Sequence, residues 1–179
     1  MKKFFLISFL ICCSTIFAQI KFTSVGGGLG LGSIQGNSTS VSAFGGSINS
    51  EFKLWFSNAV SFRLEYEHLR NVDYYLPENR TGKFYPFMNI YNLRAGIQQP
   101  LSSTFFIEES AGLLILNDRT FPDVNVWDFG GIFSLAGGIN FRNLEKKGLT
   151  ISLCLDYGFT INQTAANFSV VKIQGQYYF

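Results

Sequence analysis

Cysteine, histidine and proline are scarce in this chain, and charge of neither sign prevails. The cysteines number three (Cys12, Cys13 and Cys154), the only histidine is His68, and 4 of 179 residues are proline. Cys12 and Cys13 fall in a leading apolar segment, so a chain matured at Gln19 keeps Cys154 alone. One thiol makes no intramolecular disulfide, which excludes a disulfide framework. The 14 basic residues include Lys2 and Lys3 of that same segment. Without them 14 − 2 = 12 basic residues meet 12 acidic ones. A formally neutral chain excludes a nucleic-acid footprint, and no run of like charge marks a polybasic membrane patch. Also missing is any apolar stretch of about 20 residues, which excludes a helical membrane span.

What the leading segment does contain is Lys2-Lys3, then a run from Phe4 to Ile11 that is apolar apart from Ser8, then Ser14-Thr15-Ile16-Phe17-Ala18 before Gln19. A basic start, a short apolar stretch and a small residue at the cut predict a secretory signal peptide over 1–18, removed after Ala18. A lipoprotein signal fits poorly, because Cys13 follows Cys12 and Cys12 follows Ile11 rather than a small residue. The remaining 161 residues (179 − 18) make one domain, 19–179.

Along that domain apolar residues recur with period two, the mark of strands with unlike faces. Phe44, Ile48, Phe52, Leu54 and Phe56 oppose Ser47, Asn49, Glu51 and Lys53. Val60, Phe62, Leu64 and Tyr66 oppose Ser61, Arg63, Glu65 and Glu67, and Tyr91, Leu93, Ala95 and Ile97 oppose Asn92, Arg94 and Gln98. Leu149, Ile151, Leu153, Leu155 and Tyr157 oppose Thr150, Ser152 and Asp156. In the last segment Val171, Ile173, Tyr177 and Phe179 oppose Lys172, Gln174 and Gln176. The pattern predicts eight strands, at about 22–33, 41–56, 60–70, 87–98, 105–116, 128–142, 149–162 and 168–179. The fifth is ambiguous: either register puts Glu108 or Glu109 on the apolar face, which a β-bulge or a place near a membrane interface would accommodate.

An even strand count, with short connections alternating with longer ones, predicts an all-β, eight-stranded antiparallel up-and-down barrel. Polarity decides between a soluble, lipocalin-like barrel and a transmembrane one, because a soluble barrel points its apolar set inward. Here the apolar set is large and aromatic, whereas the opposite set is rich in Gly, Ala, Ser and Asn, sizes that a narrow interior holds. Its charges are mixed: Arg63, Arg94, Arg142 and Lys172 against Glu51, Glu65, Glu67 and Asp156. Buried charges persist when paired. The expected arrangement is a transmembrane barrel with a polar network in the lumen, centred on Arg63, Glu65, Glu67, Arg94, Asp156 and Lys172. Phe56, Tyr66, Tyr91, Phe141, Tyr157 and Tyr177 are the expected interfacial aromatics.

With its glycine-rich first strand and aromatic final strand, the chain resembles the small eight-stranded outer-membrane barrels, such as the OmpA transmembrane domain and OmpX. The resemblance spans Ile20 to Phe179. It implies a monomer in the bacterial outer membrane, embedded in lipid and lipopolysaccharide. It also implies that Tyr177 and Phe179 form the signal read by the barrel-assembly machinery, although the usual upstream glycine is one place late, at Gly175.

Chemistry beyond architecture is sparse, and no cofactor is expected. The segment 71–86 holds Tyr74, Tyr75, Arg80, Phe84 and Tyr85, the types that dominate binding surfaces, so these are the candidates for a surface ligand. Asp118, Asp123 and Asp128 flank another loop with a spacing that matches no calcium loop, so solvated loop acids are expected. His68 is in phase with the apolar face near a strand end. A lipid-modifying enzyme built on it would need a neighbouring serine and acid. The expected function is therefore non-enzymatic: envelope integrity or surface binding through the loops, with a narrow pore, a His68 enzyme and a soluble binding barrel as alternatives.

Overall fold

The computed structural model describes residues 20–54, 60–79, 82–123, 125–143, 147–162 and 164–179. The expected signal segment, Phe56, the turn at Ser57-Asn58 and Arg80 lie outside the described residues. Eight strands are present: β1 (Ile20–Gln35), β2 (Val41–Leu54), β3 (Val60–Asn71), β4 (Phe87–Pro100), β5 (Phe105–Arg119), β6 (Val126–Asn140), β7 (Gly148–Thr160) and β8 (Asn167–Tyr178). Their ends differ from the periodicity-based spans by at most three residues. Each strand pairs antiparallel with the next, and β8 pairs with β1 to close the barrel. Closure removes both sheet edges, so backbone amides and carbonyls along the wall are matched between neighbours. Among the described residues no helix is long and apolar enough to cross a membrane.

The stagger of the strands follows from the register. A row of partners runs Ser24–Glu51–Arg63–Arg94–Gly112–Ile132–Gly158–Phe168. It returns on β8 ten residues short of Tyr178, which is the β8 partner of Ser24. Strands so sheared are tilted by roughly 35–45° to the barrel axis. Rows therefore climb from the lower end, where β1 begins and β8 ends, toward the upper end.

Side chains alternate between the two faces of this wall. Outward positions leave Leu29, Ile48, Leu64, Leu93, Leu113, Phe133, Leu153 and Ile173 exposed, while Glu51, Arg63, Glu65, Arg94, Asp156 and Lys172 are buried inside. This is the reverse of a soluble barrel. At about 25 cal/mol per Å² of apolar area, such a wall is strongly unfavourable in water and favourable in hydrocarbon.

The ambiguous strand resolves without a bulge. β5 pairs continuously with both neighbours, which turns Glu108 inward, where it is buried, and Glu109 outward. The irregularity lies instead in β1, between Phe22 and Ser24. The connections also differ from expectation. At the upper end they cover 36–40, 72–86, 120–125 and 161–166; at the lower end, 55–59, 101–104 and 141–147. Only 72–86 is markedly long, and it is shortened by two 3-10 turns, Val72–Tyr75 and Pro77–Asn79.

Candidate functional site: a filled lumen beneath an aromatic and arginine rim

The lumen is filled in three layers. In the lowest, Arg63 Nη2 donates to Glu51 Oε2 at 3.2 Å and ion-pairs with Glu108 Oε1 at 2.7 Å. Gln176 Nε2 donates to Ser24 Oγ (2.6 Å) and Glu51 Oε2 (2.9 Å), and the Tyr178 hydroxyl donates to the same carboxylate at 3.2 Å. Arg142 lies over the Tyr178 ring, 4.4 Å from its centre, and donates to Gln98 Oε1 at 3.2 Å. A cleft of about 100 Å³ opens at this mouth, between Glu51, Lys53, Glu108, Arg142 and Tyr178.

The middle layer is a cross-barrel charge network. Arg94 ion-pairs with Glu65, and its Nη1 donates to Asp156 Oδ1 at 3.2 Å. Lys172 ion-pairs with Glu65 and lies 2.6 Å from Asp156 Oδ2. β1 makes room for that lysine through Gly30, where an added Cβ would meet the Lys172 Cβ at 2.7 Å. Carboxylate oxygens of Glu65, Glu67 and Asp156 lie within 4.8 Å of one another. This is a spacing that suits a metal ion, but Arg94 and Lys172 already supply the positive charge there. The third carboxylate, Glu67, is 1% exposed. Its Oε2, the Ser47 hydroxyl and the amides of Asn49 and Asn92 have no protein partner among the described residues.

The upper layer was not visible in the polar phase of the sequence. Ile34, Ala43, Leu69, Met88, Ile90, Leu114, Leu116, Ile132, Ala166, Phe168 and Val170 point inward and form one buried apolar cluster. The signal was present as broken alternation, in Leu113-Leu114-Ile115-Leu116 and Val170-Val171. Phe168 fits because β7 offers Gly158 opposite, where a Cβ would lie 2.2 Å from its ring.

Two acids latch loops over this plug, which corrects the expectation of solvated loop acids. Asp118 is fully buried and accepts from the amides of Asn37 (3.2 Å) and Thr120 (2.8 Å). Asp128, also buried, accepts from the amide and hydroxyl of Thr164, each at 3.1 Å. Only Asp123 of the three is exposed.

Outside the upper end lies the rim. Arg70, Phe87 and Arg119 are partners in one row across β3, β4 and β5. Arg70 is 3.6 Å from the centre of the Tyr74 ring and 5.2 Å from that of Phe87; Arg119 is 5.6 Å from Phe87. Tyr74 packs on Tyr75 and Tyr85 at 5.3 and 5.9 Å. Of the candidate loop residues, Tyr74 and Tyr75 are exposed and Phe84 is half-buried. Tyr85 is buried, with its hydroxyl donated to the Asn79 carbonyl at 2.6 Å, so it holds the loop rather than facing a ligand. His68 faces outward beneath Arg70; its Nδ1 is 2.8 Å from Asn89 Oδ1, an oxygen to which the Tyr66 hydroxyl also donates. Its ring packs against Phe87 at 5.6 Å. At the lower end Tyr177 and Phe179 face outward and pack on each other at 5.6 Å, with Phe22 against Phe179.

The closed, sheared barrel defines the class: an eight-stranded antiparallel up-and-down barrel with its apolar face outside. No family model matches the chain, and no curated protein matches it. Solved structures do. Neisserial surface protein A is similar over 88% of this chain and 97% of its own, with a TM-score of 0.65 and 10% identity. Ail, the attachment invasion locus protein of Yersinia pestis, matches over 89% and 99%, with a TM-score of 0.55 and 11% identity. The N-terminal barrel domain of Pseudomonas aeruginosa OprF matches over 90% and 100%, with a TM-score of 0.51 and 14% identity. At such identities the likeness is one of fold.

Proposed function

We propose that this protein is a monomeric, non-enzymatic integral barrel of the bacterial outer membrane, exported through a cleaved signal peptide and inserted by the barrel-assembly machinery. One observation carries the reading: the exposed wall is apolar while charges are buried inside, an order that only a hydrocarbon surround makes favourable. The filled lumen argues against a pore, because a solute would have to displace both an ion-pair layer and an apolar plug. The His68 contacts argue against an enzyme, because its ring nitrogen meets an asparagine rather than a serine or an acid.

Function then rests with the rim. With 72–86 on the cell surface, Arg70 and Arg119 stand at the outer edge of the apolar wall, with Asn89 and Asn117 below them. Guanidinium groups beside amides suit the phosphates of lipopolysaccharide. Exposed Tyr74 and Tyr75 suit a surface ligand. Fractionation and gel migration with and without boiling test the central claim: the outer-membrane fraction and a heat-dependent shift are expected. Recovery as a soluble periplasmic protein would overturn it.

A further inference from the structure

We propose that the outer wall carries a phospholipid seat at Glu109, selective for a headgroup with a primary ammonium. The proposal rests on the reading that this wall faces lipid. Glu109 and Glu108 are neighbours in sequence with opposite fates. Glu108 turns inward and is neutralised by Arg63 at 2.7 Å, whereas Glu109 turns outward and has no ion-pair partner among the described residues. Its row reads Val60–Ile97–Glu109–Leu135–Leu155, with no cation. The outward basic residues of these strands, Arg70 and Arg119, stand at the far, upper end.

A carboxylate on a lipid-facing wall carries a cost that grows with depth. Glu109 lies four residues up β5 from Phe105, a rise of roughly 10 Å along a tilted strand. That places it just above the lower aromatics Phe62 and Phe105, within reach of the headgroup region of the inner leaflet. No cation among the described residues offsets its charge, which leaves the carboxylate open to one supplied by a lipid headgroup.

The shape beside it fits one acyl chain. In the next row up, Ala95 and Ala111 are direct partners, flanked by Phe62 on one side and Phe133 and Tyr157 on the other. Two methyl groups between large rings leave a trough, part of an outer groove of about 680 Å³ that Glu109 borders. A diacyl phospholipid with an ethanolamine headgroup supplies both parts: its ammonium meets the carboxylate, and one chain lies along Ala95 and Ala111. A second copy of the chain is the poorer occupant, because the matching part of its wall offers no outward lysine or arginine.

Native mass spectrometry of the refolded protein, from micelles holding equal phosphatidylethanolamine and phosphatidylcholine, tests this. About tenfold more phosphatidylethanolamine than phosphatidylcholine should be retained, the factor that one charge-assisted hydrogen bond supplies. Glu109→Gln should abolish the preference but keep some lipid. Ala111→Phe should fill the trough and lower retention of both lipids while gel migration shows a folded barrel. Equal retention of the two lipids, an unchanged preference in Glu109→Gln, or a dimer in place of bound lipid would overturn the seat alone. A protein soluble without detergent would instead overturn the membrane reading beneath it.

Discussion

Lys172 on β8 and Glu65 on β3 form an ion pair across the lumen, although 107 residues separate them in sequence. Both are essentially excluded from solvent, and Asp156 and Arg94 complete the layer. Desolvating two charges costs several kcal/mol each, so such a pair adds little net stability. Removing one partner, however, strands the other. Lys172→Met leaves Glu65 and Asp156 facing a single arginine. Urea unfolding in micelles should show a loss of about 3–5 kcal/mol. Glu65→Gln in the same background should recover part of that loss, because it removes the stranded charge. A loss below about 1 kcal/mol for Lys172→Met would mean that the layer is hydrated and not a sealed pair network.

The apolar plug is a second, independent closure. Phe168→Ala removes its largest side chain and should destabilise the barrel by about 3–5 kcal/mol. Planar-bilayer recordings should nevertheless show no conductance steps, because the charged layer beneath still fills the lumen. Steps are expected only when Phe168→Ala is combined with loss of the Lys172 and Arg94 side chains. A conducting wild-type protein would restore the narrow pore as its function.

The strand architecture was legible because period-two alternation survives wherever one face meets hydrocarbon and the other meets small polar groups. That logic placed Arg63, Glu65, Arg94, Asp156 and Lys172 in one phase, and the barrel puts them in one lumen. It could not show that the phase changes character with height. Leu69, Leu114, Leu116 and Phe168 sit in the polar phase yet are apolar, because the upper lumen is a dry plug. Nor did it fix β5, where adjacent glutamates give either register one misplaced charge; pairing of Glu108 with Arg63, distant in sequence, decides it. The loop acids failed for a similar reason. Asp118 and Asp128 are buried by amides of Asn37 and Thr164, contacts that only closure of the barrel creates.

Depth along the outer wall sets the penalty for charge. Leu113→Arg places a guanidinium on the wall between Leu93 and Gly131, well inside the apolar band, and should cost about 2–4 kcal/mol of folding stability in a bilayer. Val60→Arg, at the first residue of β3, should cost no more than about 1 kcal/mol. Equal penalties measured by unfolding from vesicles would contradict the assigned band.

The rim gives an electrostatic prediction. Arg70→Ala with Arg119→Ala should weaken retention of lipopolysaccharide, and the difference from the unsubstituted protein should shrink as salt rises, because exposed charge pairs are screened over about 10 Å at 0.1 M. His68→Ala should leave the species of lipid A in the membrane unchanged by mass spectrometry. New or missing acyl forms would revive the enzymatic reading.

Cys154 reports on the lumen directly. It points inward between Ser152 and Gln174, with its Sγ 3.4 Å from the Ser152 hydroxyl and 3.7 Å from Gln174 Oε1, and it is 1% exposed. In a protein expressed from Gln19 onward it is the sole thiol. Only the thiolate reacts, and neither water nor a bulky reagent reaches this sulfur while both closures hold. A maleimide carrying a large dye should therefore label the folded barrel at a negligible rate and the urea-unfolded chain fully. In Phe168→Ala labelling should stay slow, since the Lys172 and Glu65 layer still bars the way from above. Rapid labelling of the unsubstituted barrel would show an open path through the lumen.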